Sequence, residues 1–184
     1  MPRSARAPSL ARLATRDESR SRKVEAVGSV RDAVRGADII CTTTVSKEPV
    51  LEHEWLSPGV HINAVGSSTA TARELDTRTV VDATFFVDRR ESTLSEAGDF
   101  LIPLAEGAVT PAHIRAELGD LLIAVHPGRT SREELTVFKS LGLGIEDVTA
   151  ARRAVVLGLG RRCDVGGTPH GALTLGLSPA DSAA

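Results

Sequence analysis

Apolar and polar positions alternate so as to divide the chain into short buried strands separated by short helices. Two runs stand out, residues 37–45 (ADIICTTTV) and 60–68 (VHINAVGSS). Each is apolar and β-branched, then breaks into small hydroxyl residues or glycine. In a parallel α/β sheet such a run is a buried strand whose polar end lies at the carboxyl edge, where ligands bind. Side by side, the two ends form a shelf of backbone amides and hydroxyls facing one crevice.

The remaining pattern fills in around them. A short helix is expected over residues 5–15, with Pro8 in its first turn, and a brief strand over 23–27 closed by Gly28. Ser29 caps a helix over 30–34, and Gly36 ends it. Strands follow over 38–45 and 60–65, separated by a helical turn at 52–56 and the turn Ser57-Pro58-Gly59. A helix over 74–79 precedes a third strand, 84–88, that ends in a carboxylate. Helical spacing recurs at 92–97 and 103–107. Pro111 opens a helix over 112–118 capped by Gly119, and 120–125 continue it. After a loop at 126–130 come a strand at 135–138, a turn at 139–144 and a clear helix at 145–157. Glu146 and Asp147 in that helix's first turn complement its dipole. From Gly158 onward Gly, Pro, Ser and Ala dominate, which reads as a loosely ordered tail.

Strands alternating with helices give an α/β fold with a largely parallel, doubly wound sheet. The dinucleotide fingerprint, a strand followed by Gly-x-Gly-x-x-Gly and a helix, is missing. Gly158-Leu159-Gly160-Arg161-Arg162-Cys163 imitates it but lacks the third glycine and follows a helix.

Composition narrows the function classes. With 184 residues, 41% of them hydrophobic, the chain can bury one real core. Its net charge of −2 leaves no broad footprint for nucleic acid or an acidic membrane. The first 23 residues carry seven Arg/Lys against two acidic residues and read as a solvated basic lead-in. No window reaches the ~18 apolar residues that a membrane span needs. Cys41 and Cys163 lie far apart without metal spacing, as in a reducing cytoplasmic protein. Aromatics at 3%, with no Tyr, disfavour a stacking platform for single-stranded nucleic acid. The histidines show no metal-ligand spacing, so no metal is assigned, and His61 reads as a packed strand residue.

A family resemblance rests on a series of motifs. Gly36-Ala37-Asp38-Ile39-Ile40, Glu48-Pro49, Pro58-Gly59-Val60-His61-Ile62-Asn63-Ala64-Val65-Gly66, Arg73-Glu74-Leu75-Asp76 and Val137-Phe138-Lys139-Ser140-Leu141-Gly142 with Glu146-Asp147 occur in order with sensible spacing. Together they resemble the ornithine cyclodeaminase/mu-crystallin family from about residue 28 to about residue 158, with wording closest to its ketimine reductases. The resemblance implies a Rossmann domain that binds NAD or NADP, a homodimer of the full-length protein, and chemistry on amino-acid-like substrates. The first Rossmann strand, its glycine loop, the catalytic Lys and the carboxylate-binding Arg have no counterpart here. The chain therefore reads as a truncated member, a gene fragment or one with a misjudged start: a basic lead-in at 1–23, a partial Rossmann-like domain at 24–158 and a flexible tail at 159–184.

What the resemblance implies for the site is specific. Thr44 and Val45, at the end of one strand, lie beside the cofactor's ribose and nicotinamide, while Thr42 and Thr43 read as strand residues with satisfied hydroxyls. Val65, Gly66 and Ser67 form the second shelf, where glycine lets the backbone approach a flat ring. Ser68 stands where cyclodeaminases of the family carry Asp. A neutral hydroxyl suits hydride delivery to an imine better than deprotonation of an ammonium. Glu96 reads either as a substrate-side carboxylate or as an exposed helix end. Lys139 and Ser140 read either as the turn that closes over the nicotinamide or as solvated turn residues. No residue of the chain is assigned a catalytic role. The implied activity is reduction of a small cyclic imine. An ornithine cyclodeaminase-type lyase, a non-catalytic binder of a small ligand and an inactive fragment are the alternatives.

Overall fold

The computed structural model describes residues 25–156, 163–167 and 173–177, the last two segments by backbone alone. The chain divides into two units, one ending at Leu141 and the other beginning at Gly142. The first unit holds a five-stranded, all-parallel sheet of β1 (Ile39–Thr42), β2 (His61–Ala64), β3 (Thr84–Val87), β4 (Ile114–Glu117) and β5 (Thr136–Lys139). Their order across the sheet is β1-β2-β5-β3-β4, so β5, last in this sheet by sequence, sits at its centre. The helices are α1 (Val30–Val34), α2 (Thr77–Asp82), α3 (Arg90–Glu96), α4 (Gly98–Ala105) and α5 (Leu118–Leu122). The second unit contains α6 (Gly144–Val156) and an antiparallel hairpin of β6 (Cys163–Gly167) and β7 (Leu173–Leu177).

Strand register explains which side chains are buried. Thr42 pairs with Ala64, Ala64 with Lys139, and Lys139 with Val87, placing four strand ends in one row. Ile40, Ile62, Val137 and Phe85 lie two residues back along the same face and form the core with Leu51, Leu75, Val80 and Phe100. The Phe85 and Phe100 rings pack with centroids 5.4 Å apart. Side chains alternate across a strand, so Lys139 falls on the core face with Ala64 and Val87. It is 0% exposed. On the opposite face β1 is open: Ile39 is 65% exposed and Cys41 is a free, exposed thiol. His61 bonds Thr136 through Nδ1 at 2.8 Å and Asn63 through Nε2 at 3.3 Å, and burial lowers its pKa.

Local chemistry accounts for most of the elements expected from the pattern. The Ser29 side chain accepts the Asp32 amide at 3.1 Å and starts α1, and Gly36, at φ +68°, ends it in the left-handed region. The carboxylate that ends the third strand, Asp88, accepts the Leu141 amide at 2.6 Å and so anchors the turn after β5.

Several expectations are corrected. Residues 112–118 form a 3₁₀ turn, Pro111–His113, and then β4. Ile114 and Ala116 are each 2% exposed while Arg115 between them is exposed, a two-residue period that the short window disguises as helical. The helix begins only at Leu118, where Asp120 accepts the Glu117 amide at 3.0 Å. Likewise, Glu74 and Leu75 are not helical. Asp76 accepts the Thr79 amide at 2.9 Å, so α2 starts after it, and Leu75 bridges to Leu51. Residues 25–27 form no strand, and the helix expected at 5–15 lies outside the described residues. Within the expected loose tail, β6 and β7 pair.

Glu134 yields a prediction about pH. Partial burial pushes its carboxyl up, but hydrogen bonds from Thr84, the Thr130 amide, the Ser131 amide and the Thr130 hydroxyl outweigh it and hold the pKa at about 2. A depressed folded-state pKa contributes stability above the unfolded value of 4.5, and that contribution is lost as pH falls toward 2. We expect the stability gap between wild type and Glu134→Gln to shrink between those limits. A gap independent of pH, measured by urea unfolding from pH 6 to pH 2.5, contradicts the assignment.

Candidate functional site

The site grows from the ends of β1 and β2. Beyond the last ladder pair the two chains stay bonded: Val65 and Gly66 donate to the Thr42 carbonyl at 3.0 and 3.1 Å, and Ser67 donates to the Thr44 carbonyl at 3.1 Å. Ser67 takes a left-handed φ of +53°, which costs a residue with a Cβ about 1–2 kcal/mol. Its hydroxyl donates to the Ser46 carbonyl at 3.1 Å, tying the second loop to the first. Strain of this kind gathers at ligand clamps.

Between the loops is a cavity of about 370 Å³. The first loop lines it with Thr43, Thr44, Val45 and Lys47, the second with Val65, Gly66, Ser67, Ser68 and Thr69, and Ala72 closes one end. Val45 is 94% and Val65 47% exposed, so two apolar side chains stand open beside several hydroxyls. Among the described residues Lys47 is the one titratable group that lines the cavity, and no carboxylate or imidazole reaches it. Such a surface can seat a flat, partly apolar ring and hydrogen-bond its polar substituents. Among the described residues it presents no histidine or carboxylate to act as a general base.

The structure brings together six of the nine residues singled out from the sequence: Thr44, Val45, Val65, Gly66, Ser67 and Ser68. The other three do not line the cavity. Glu96 is the exposed last residue of α3. Ser140 is buried, its amide donating to the Ala64 carbonyl at 3.1 Å. Lys139 is neither a solvated turn residue nor a lid. It is the last residue of β5, and its alternation within the strand turns Nζ inward to the Gly66 carbonyl and to Asp99 Oδ2, the latter at 3.1 Å.

The pattern also hid two acids. Glu74 is fully buried; its Oε2 accepts the Thr42 hydroxyl at 2.7 Å and its Oε1 accepts the Thr44 amide. Asp99, equally buried, accepts the Glu74 and Leu75 amides through Oδ1 at 2.7 and 3.0 Å. Burial raises the Asp99 pKa against the opposing pull of Lys139 and those two amides. Glu74 stands in the Arg73-Glu74-Leu75-Asp76 motif and Asp99 follows Gly98, yet polar neighbours make both look solvated. The useful signal was Lys139 at a strand end, since a buried cation requires a buried anion.

A family model described as the ornithine cyclodeaminase/mu-crystallin family matches residues 4–156. The chain belongs to this family. The match starts well ahead of residue 28, where the quoted motifs begin. Ketimine reductase mu-crystallin of Macropus fuliginosus is 45% identical over 129 residues, covering 70% of this chain and 38% of that protein. A Delta(1)-pyrroline-2-carboxylate reductase of Bacillus cereus is 41% identical over 141 residues, covering 74% and 43%. Among solved structures, the Thermococcus litoralis Delta(1)-pyrroline-2-carboxylate reductase, in complex with NADH and L-proline, superposes with a TM-score of 0.65 at 41% identity, covering 72% of this chain and 42% of that one. The chain thus spans about two fifths of the relatives it matches, and the parallel sheet is their Rossmann-like architecture.

A Cβ on Gly66 would overlap the Thr44 carbonyl oxygen and the Glu74 carboxylate, so glycine lets the second loop lie directly against both. Among the described residues no helix is long and apolar enough to cross a membrane.

Proposed function

We propose that this chain carries the nicotinamide-side half of an NAD(P)-binding crevice in an imine reductase, acting with NAD or NADP on a small cyclic imine or amino-acid-like ligand. The supporting observation is the cavity between the ends of β1 and β2. It gathers Thr44, Val45 and residues 65–68 at the carboxyl edge of a parallel sheet and offers hydroxyls without a carboxylate. When bound, the dinucleotide supplies the hydride. Gly66 and Val65 would support the ring face, Val45 would shield it from water, and the Thr44 hydroxyl would orient it, while Ser67 holds the two loops together. Ser68, exposed at the lip, would hydrogen-bond the substrate. An ornithine cyclodeaminase-type reaction needs a carboxylate at that lip to hold or deprotonate an ammonium, and Ser68 weighs against it. The two widely spaced cysteines are in keeping with a cytoplasmic location, which is part of this proposal.

The test is a titration of isotope-labelled chain with nicotinamide mononucleotide, followed by amide chemical shifts. Shifts confined to residues 43–47 and 65–69 are expected. Saturable shifts centred elsewhere, or none at millimolar ligand, reject the reading. Purified 1–184 with NADPH and a cyclic ketimine should show no turnover, because the sequence contains no Gly-x-Gly-x-x-Gly phosphate loop. Measurable reduction overturns that expectation.

A further inference from the structure

The polar contacts beneath the crevice close into a ring. Lys139 Nζ donates to the Gly66 carbonyl and faces Asp99 Oδ2 at 3.1 Å. Asp99 Oδ1 holds the Glu74 and Leu75 amides at 2.7 and 3.0 Å. The Glu74 side chain then takes the Thr42 hydroxyl and the Thr44 amide, and the Thr44 carbonyl receives the Ser67 amide, next to Gly66. Glu74, Asp99 and Lys139 are each 0% exposed, and none of the three lines the cavity. Buried charges placed this close to a ligand seat, without touching it, need a structural purpose. The ring reaches the two loops that form the seat at three backbone groups, the Gly66 carbonyl, the Thr44 amide and the Thr44 carbonyl.

We propose that Glu74 is a positioning residue that fastens the loop after β1 to the loop after β2, so that the crevice is built before any ligand arrives. The inference rests on the reading of this cavity as a ligand seat and extends it to a residue outside the lining. Without Glu74 the Thr44 amide has no acceptor, and the first loop keeps only its contacts with residues 65–67 and within itself. With it, both loops are fixed relative to the β5 end. A preformed seat avoids the ordering entropy that a loose one would lose on binding.

Ligand-free amide hydrogen exchange tests the fastening directly. In Glu74→Met, exchange at Thr44, Gly66 and Ser67 should speed up about tenfold or more, while Ile62 and Val137 in the strands stay as in wild type. Glu74→Gln should restore near-wild-type protection, since its amide oxygen can accept from Thr44 and the Thr42 hydroxyl can turn to accept from its NH₂. Equal acceleration throughout the sheet, no local acceleration, or a Gln variant as loose as the Met variant overturns the proposal. If Glu74→Met does not fold, Thr42→Val removes one contact of the fastening and should loosen the same three amides and no others. A second arm measures nicotinamide mononucleotide affinity. Where wild type binds, Glu74→Met should bind at least tenfold more weakly and Glu74→Gln should match wild type. If wild type does not bind, the cofactor reading fails, and the exchange pattern alone decides whether Glu74 fastens the loops.

Discussion

Lys139→Met should destabilise the fold by about 3–5 kcal/mol, among the largest effects of any single substitution here, because it strands a buried carboxylate. Asp99 is fully buried and its pKa is raised by burial; among the described residues Lys139 is its one charged partner. Removing the ammonium also leaves the Gly66 carbonyl without its donor. Methionine matches the stem well enough that the loss reads charge and hydrogen bonding rather than volume. Urea unfolding at pH 7 measures the cost, and the double variant Lys139→Met/Asp99→Asn should recover part of it by leaving no lone charge. A single-variant cost below about 1 kcal/mol, on the scale of an exposed pair, would show that the pair is not a buried fastener.

Gly66→Ala is the second large effect, and it strikes the cavity directly. The added methyl would occupy the space of the Thr44 carbonyl oxygen and the Glu74 carboxylate. Neither can retreat easily, the first being backbone in the loop ladder and the second pinned on both oxygens. The expected cost is about 3 kcal/mol, at the upper end for overpacking, with loss of nicotinamide mononucleotide binding. Ser67→Gly, one residue along, is the control. It relieves the left-handed strain but gives up the hydroxyl bond to Ser46, and should stay within about 1 kcal/mol of wild type. Equal costs for the two variants would mean that this close approach is not what glycine secures.

The crevice was legible because its chemistry is local. A β-branched run that ends in hydroxyls and glycine shows both the strand and its polar end, and Thr44, Val45 and residues 65–68 line one cavity. The support beneath it was not legible. Glu74, Asp99 and Lys139 act through contacts 24 to 73 residues apart in sequence, and nothing in the local pattern distinguishes a buried acid from a solvated one. Lys139 makes the point sharply. A strand boundary set one residue early turns it from a core-facing position into a turn residue, and its expected role changes with it. β4 fails for the converse reason: four residues carry too little period to choose between helix and strand, and pairing with β3 decides. Glu96 lies three residues before Asp99, yet the end of α3 leaves it in solvent while the start of α4 buries Asp99.

The central place of β5 has a consequence for how the sheet is completed. β2 and β3 never pair with each other; each pairs with β5, which is made after both. Until Thr136–Lys139 leaves the ribosome, β1 with β2 and β3 with β4 are two separate strand pairs, each with an unsatisfied inner edge. The last segment to arrive is therefore a keystone. It carries at its end the ammonium that bonds the Gly66 carbonyl after β2 and faces Asp99 beyond β3, so the strand that closes the sheet also closes the ion pair.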